Sequence, residues 1–185
     1  MALTPSIMPS LGTSAPSFSL TDVVSENLIN LNTFLEKKGL LVMFICRHCP
    51  FVIHIQEELS KIGKDYLNKN VGILAISSND AVTHPDDSPL NLAAMAKELD
   101  FSFPYCYDET QNVAKDFNAA CTPDFFLFDQ ERKLVYRGQL DDSRPENGKP
   151  VTGRDLRTAL DSVLANEPVL AQQTPSIGCN IKWKS

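Results

Sequence analysis

The sequence predicts an α/β fold: a central mixed β-sheet flanked by helices, with an N-terminal hairpin and an inserted helix–strand unit. Three observations predict it. Leu40 to Ile45 and Val71 to Ser77 ("VGILAIS") are apolar runs without alternation, as expected of strands covered on both faces. Between them Val52, Ile55, Leu59, Ile62 and Tyr66 recur at helical spacing, so strand, helix and strand form a parallel βαβ unit. Further on, "DFFLFD" and "KLVYRG", parted by Gln130-Glu131-Arg132, read as an antiparallel hairpin.

The remaining elements follow in order. Residues 1–16 are rich in Pro, Ser and Thr and read as an extended arm. "FSLTDVV" and "NLINL" flank Ser25-Glu26-Asn27 as a small hairpin. "NTFLEKKG" supplies one or two helical turns ending at Gly39. The long helix runs from about Pro50 to Asn68. "NDAVTHPDDSP" is a polar loop with His84, Asp86 and Asp87 solvated. Ser88 before Pro89 starts the inserted helix, whose inner face is Leu92, Met95, Ala96 and Leu99. "FPYCYD" is a short strand and Thr110 to Phe117 a short helix. Thr152 and Asp155 have the spacing of a capping box for a last helix through Leu156, Leu160 and Val163. The predicted organisation is an arm (1–16), one domain (17–166) and an irregular tail (167–185) packing on it.

Bulk properties exclude several functions. A chain of 185 residues with 43% hydrophobic and 22% charged residues is long and apolar enough for one packed core. Its net charge is −6, and no basic cluster is dense enough to track a phosphate backbone, so nucleic acid is not an expected partner. The longest apolar run, Leu40 to Cys46, falls far short of the roughly 20 residues a membrane helix needs. "MALTPSIMPSLGTSAP" lacks the charged and apolar regions of a secretory signal. The expectation is a cytoplasmic protein without a membrane partner.

Five cysteines are present, and only Cys46 and Cys49 are close in sequence. An odd number in a domain of this size is not a secreted disulfide framework. The pair stands where a buried strand meets a helix N-terminus. Unpaired N–H groups and a partial positive charge favour thiolate there, and Arg47 and His48 add positive charge. Zinc normally takes four ligands, and the other cysteines are single and distant, so no metal is expected. His54 reads as a surface histidine, Cys106 as core, and Cys121 as a small buried hydrophobe or a third thiol. Cys179, in "PSIGCNIKW", either packs the tail with Ile177 and Trp183 or joins the redox chemistry.

Strand, CxxC at a helix start and the later "CTPDFFLFD" resemble the thioredoxin-fold superfamily. More narrowly, "CRHCPFV", "SNDAVTHPDDSP" and "RGQLDDSRPENGKPVTGRDLRTAL" resemble the peroxiredoxin-like redoxin (AhpC/TSA-like) group that carries CxxC in place of TxxC. The resemblance spans most of Pro16 to Ala165. It implies a cis-proline at Pro123 facing the cysteine pair, with Thr122 and Pro123 as a backbone platform for substrate. Cys49-Pro50 falls on the peroxidatic Cys-Pro, and Cys46 on the activating Thr. The Arg that completes a peroxiredoxin site has no match beside Pro123, where Thr122 and Asp124 stand. The buried Asp of thioredoxins corresponds to Leu40, leaving Asp124, Asp141 or a water as proton acceptor.

The expected function is therefore a thiol-disulfide oxidoreductase. By resemblance, Cys46 attacks and Cys49 resolves, while Arg47, His48, Thr122 and Pro123 contact substrate. The residues alone leave this open: a helix starting at Pro50 would favour Cys49, and one starting near Arg47 would favour Cys46. Protein or low-molecular-weight disulfides and thiols are the expected substrates, with a thioredoxin- or glutathione-type reductant and no cofactor. One alternative is a peroxidase with Cys49 peroxidatic and Cys46 resolving. Another, of a different class, is a non-catalytic zinc-binding or structural module.

Overall fold

The computed structural model describes residues 3–185. Strand β1 (Leu3–Pro5) opens the chain, and β2 (Ser19–Thr21) pairs with β3 (Leu28–Asn30) in the expected hairpin. A 3-10 turn at Leu31–Phe34 is closed by a capping box between Asn30 and Thr33. Next come β4 (Gly39–Phe44), α1 (Pro50–Tyr66) and β5 (Val71–Ser77). The strands β4 and β5 are parallel, with Val42 opposite Leu74. A 3-10 turn at Pro85–Asp87 leads into α2 (Pro89–Glu98), followed by β6 (Tyr105–Tyr107) and α3 (Asn112–Asp116). Then follow β7 (Cys121–Thr122), β8 (Asp124–Phe128), β9 (Leu134–Gly138), α4 (Arg154–Leu164) and β10 (Ile177–Asn180).

The central sheet has the order β6-β5-β4-β8-β9, parallel across β6-β5-β4 and antiparallel across β4-β8-β9. Strand β4 lies in the middle, which is why its run of apolar residues does not alternate. Side chains still alternate between faces. Leu41, Met43 and Ile45 meet α1, α2 and α4 through Val52, Leu59, Leu92 and Leu160. Leu40, Val42 and Phe44 meet the other layer, with Phe34, Phe117 and Phe126. Burying each such side chain is worth about 1.5–3 kcal/mol. No helix among the described residues is long and apolar enough to cross a membrane.

Three local expectations change. The capping box at α4 does not form: Gly153, in the left-handed region, is the N-cap, and the buried carboxylate of Asp141 accepts the N–H groups of Thr152 and Gly153 at 2.7 and 2.6 Å. Residues 177–180, read as irregular, are a strand. Part of the arm is a strand too: β1, β10 and β7 form a second sheet, with Leu3 opposite Cys179 and Cys179 opposite Thr122. The arm's first two residues lie outside the described residues. None of these strands alternates long enough to be legible; each exists because its partner strand supplies the hydrogen bonds.

Candidate active site

The site grows from the end of β4. After Phe44 the Ile45 N–H still bonds the Ile76 carbonyl at 3.0 Å, and then the chain leaves the sheet. A residue before proline avoids the helical region, and proline suits the first helical position. The helix accordingly starts at Pro50, and Cys49 is its N-cap with extended backbone. Its carbonyl accepts the Val52 and Ile53 N–H groups at 3.0 and 2.9 Å. A helix starting near Arg47, which would have favoured Cys46, is not formed.

Both thiols of the pair are fully buried and in hydrogen-bond contact. Cys49 is lowered to about 5. The Cys46 thiol donating to it is the largest cause; burial opposes, and the Cys179 thiol and the Val52 and Cys179 backbone N–H groups add to the lowering. Cys46 is held well above an ordinary thiol, first by that same hydrogen bond to Cys49, then by burial and the charge of Asp87. The Thr122 hydroxyl, 3.2 Å from its sulfur, works the other way. The proton of the pair thus sits on Cys46 and the charge on Cys49. As a thiol, Cys49 donates to the Thr122 carbonyl, 3.2 Å away.

Asp87 corrects the reading of the acidic loop as solvated. It is fully buried, and its carboxylate accepts from the Arg47 N–H (2.7 Å), the His48 N–H (3.3 Å), the His48 ring Nδ1 (2.5 Å) and the Asn79 amide (2.7 Å). It pins the loop that carries both cysteines. His48 also stacks on His84, with ring centroids 5.2 Å apart. The Arg47 guanidinium turns to α2, bonding the Asn91 carbonyl at 2.7 Å and Glu98 at 3.4 Å. The Cys46 sulfur, a ring nitrogen of His48 and a carboxylate oxygen of Asp87 lie within 4.8 Å of one another, the group among the described residues able to approach a metal together. They make three ligands where zinc takes four, and Asp87 is already saturated with donors.

The Thr122–Pro123 peptide is cis, as expected, and Thr122 faces both sulfurs. The platform is already paired: β10 lies along it, Ser176 Oγ donates to the Pro123 carbonyl at 2.6 Å, and Cys179 Sγ stands 2.7 Å from Cys49 Sγ. Asp124 is buried and held by Ser6 Oγ at 2.6 Å; burial raises its carboxyl to about 7. Asp141 caps α4. The carboxylate that raises Cys46 is Asp87. Burial raises Cys106 to about 12 and pushes Cys121 well above an ordinary thiol. His54 bonds Ser143 at 2.7 Å.

One neighbour of the pair was missed and one was left open. Asp87 lies far along the chain from the pair it anchors; its one sequence signal is a polar loop at the carboxyl end of a parallel strand, where sites form in open α/β sheets. Cys179 comes from a segment without any period.

Residues 11–137 match the model of the AhpC/TSA family. A search of curated proteins gives no match. Among solved structures, an uncharacterized conserved protein from Geobacillus kaustophilus is 54% identical, with TM-score 0.97 and coverage of 100% of this chain and 97% of that one. A hypothetical protein from Sinorhizobium meliloti 1021 is 49% identical, with TM-score 0.96 and coverage of 98% and 99%. The thioredoxin domain of a thiol-disulfide oxidoreductase from Bacteroides vulgatus, at 20% identity, TM-score 0.59 and coverage of 75% and 92%, shares the fold.

Proposed function

The chain belongs to the AhpC/TSA family, a redox group on the thioredoxin fold, and from that premise we propose that it is a thiol-disulfide oxidoreductase working through Cys46 and Cys49. The observation that carries the reading is the split of proton and charge between two touching sulfurs, with Cys49 lowered to about 5 at the cap of α1 and Cys46 kept as thiol.

That split favours Cys49 as the attacking sulfur, in place of the Cys46 that the thioredoxin resemblance suggested. Cys49 thiolate attacks a substrate disulfide; one sulfur of the substrate leaves as thiolate, and a mixed disulfide forms. Cys46 then gives up its proton and attacks Cys49, the Cys46–Cys49 bond forms, and the second substrate thiol leaves. His48 and Asp87, within 4.8 Å of the Cys46 sulfur, are the groups beside that proton. The Thr122 hydroxyl steadies the Cys46 thiolate as it forms. A thioredoxin- or glutathione-type thiol returns the pair to the dithiol.

The platform at Thr122 and Pro123 is covered by β10, and both sulfurs are buried. This favours a low-molecular-weight disulfide over an extended polypeptide, reaching Cys49 by local opening of the cover. Arg47, bound to α2, steadies the loop, and His48 is the one of the two beside the Cys46 sulfur.

Full burial favours a second reading, peroxide reduction, because hydrogen peroxide is small. Cys49 thiolate would attack one peroxide oxygen, the O–O bond breaking to leave a sulfenic acid and a hydroxide that takes a proton from solvent to become water; the Cys46 thiol would then close the disulfide and release a second water. Against it, Cys46 occupies the activating Thr position and the guanidinium of Arg47 is engaged elsewhere. Stopped-flow thiol loss decides between them. Reaction of Cys49 with glutathione disulfide far faster than free cysteine, and with hydrogen peroxide no faster, supports the exchange reading. The reverse order of rates overturns it.

A further inference from the structure

Cys179 lies outside the motif, on the far side of the chain in sequence, yet its sulfur is 2.7 Å from Cys49. A disulfide bond is about 2.05 Å, so less than about an ångström of approach separates contact from bond. The strand that carries Cys179 is held from both sides. Strand β1 pairs along it, the Ser6 N–H bonds the Ser176 carbonyl at 2.9 Å, and beyond it Lys182 bonds Asn79, Asp80 and Gln111. The approach of β10 to the platform depends on Gly178. A Cβ at that position would stand 2.0 Å from the Thr122 carbonyl oxygen and 3.1 Å from Pro123 Cδ. A cysteine that only filled space would need neither the missing side chain beside it nor a sulfur partner in contact.

We infer that Cys179 is a third redox thiol of this site, and that Cys49 is the shared sulfur of two mutually exclusive disulfides, Cys46–Cys49 and Cys49–Cys179. The inference rests on the exchange reading above and extends it. Starting from the Cys46–Cys49 disulfide, the Cys179 thiolate attacks Cys49. The Cys49–Cys179 bond forms, the Cys46–Cys49 bond breaks, and its electron pair leaves on the Cys46 sulfur, which takes up the proton Cys179 released. No electrons enter or leave, so no further oxidant is required. Starting instead from a mixed disulfide on Cys49, Cys179 displaces the substrate thiol as an alternative to Cys46. In the dithiol protein Cys179 is raised to about 12 by burial and by the hydrogen bond and charge of Cys49. The last two causes vanish when Cys49 is oxidised, while Lys182 continues to favour the thiolate.

The test uses the full chain treated with glutathione disulfide, quenched with acid, alkylated and peptide-mapped without reduction. The Cys46→Ser variant is expected to yield a Cys49–Cys179 disulfide and free glutathione. The Cys46→Ser, Cys179→Ser double variant is expected to keep glutathione bound on Cys49. Gly178→Ala, placed in the Cys46→Ser background, is expected to lose the Cys49–Cys179 bond by pushing β10 off the platform. If Cys46→Ser instead stays glutathionylated on Cys49 with Cys179 alkylated, the third-thiol inference is overturned and the exchange reading survives. If Cys49 of the unaltered protein takes up no glutathione and forms no disulfide, both fall. Mapping the unaltered protein as well guards against a misfolded variant, because a Cys49–Cys179 peptide there supports the inference by itself.

Discussion

The carboxylate of Asp87 accepts the Arg47 backbone N–H at 2.7 Å, joining the loop after β5 to the loop that carries Cys46 and Cys49. That bond fixes where Cys46 stands, and the same carboxylate raises its pKa. Asp87→Asn keeps an oxygen for the N–H and loses the charge. In a Cys49→Ser background, where the other large electrostatic partner is gone, Asp87→Asn is expected to move the Cys46 thiolate midpoint downward. Ultraviolet thiolate absorbance against pH measures it, and an unmoved midpoint would remove Asp87 from the electrostatics of the site. Asp87→Ala leaves the Arg47 and Asn79 donors unpaired and is expected to cost about 1–3 kcal/mol of stability in denaturant unfolding.

Cys46→Ala removes the largest cause of the low Cys49 pKa. The Cys49 thiolate midpoint, near 5 in the unaltered protein, is expected to rise by about one unit or more, each unit being about 1.4 kcal/mol. Cys46→Ser, which keeps a donor, is expected to shift it less. A depressed thiol stabilises the fold most above the ordinary thiol pKa of about 8.5, and that contribution is gone once pH falls through about 5. The raised thiols Cys46 and Cys179 act oppositely: their contribution is full below about 8.5 and is lost as pH rises from there through their raised values, about 12 for Cys179.

Thr122→Val keeps the shape of the side chain and removes the hydroxyl that favours the Cys46 thiolate. Attack by Cys49 is expected to be unchanged while release of the substrate thiol by Cys46 slows. In single-turnover mixing with glutathione disulfide, the glutathione–Cys49 adduct should accumulate and persist. Slowing of the first step instead would assign Thr122 to Cys49.

Asp124 is raised to about 7 by burial, against about 3.9 in an unfolded chain. A carboxyl whose folded pKa is raised contributes stability that is full below the unfolded value and is lost as pH rises through the folded one. The protein should therefore lose stability from this group between about pH 4 and pH 7. Asp124→Asn, still able to bond Ser6, is expected to flatten that part of the profile. Guanidinium unfolding near both limits checks it, and parallel profiles for the two proteins would overturn the assignment.

The strands and helices of the central layer were legible because hydrophobic burial is written locally. Leu40 to Ile45 and "VGILAIS" are buried on both faces, α1 repeats its apolar residues every three or four positions, and proline names its own helical position. The cysteine pair at a strand–helix junction was legible for the same reason, whereas the cis-proline beside Thr122 came from the family resemblance. Capping was less so: Thr152 and Asp155 have the right spacing, yet Asp141 takes the Thr152 N–H and the Leu140 carbonyl takes the Asp155 N–H, the two donors a capping box would have paired.

By itself, the sequence determined which runs become the central strands, the helix behind Cys49 and the chemistry available to two sulfurs, since each is written in residues a few positions apart. Only the tertiary structure decided which sulfur holds the charge, that Asp87 is buried beneath the loop, and that Cys179 meets Cys49. The last two depend on contacts between segments 40 to 130 residues apart, and the first on how the fold turns two nearby sulfurs toward each other. Contacts at that range follow from packing and strand pairing, which leave no period in the residues that make them.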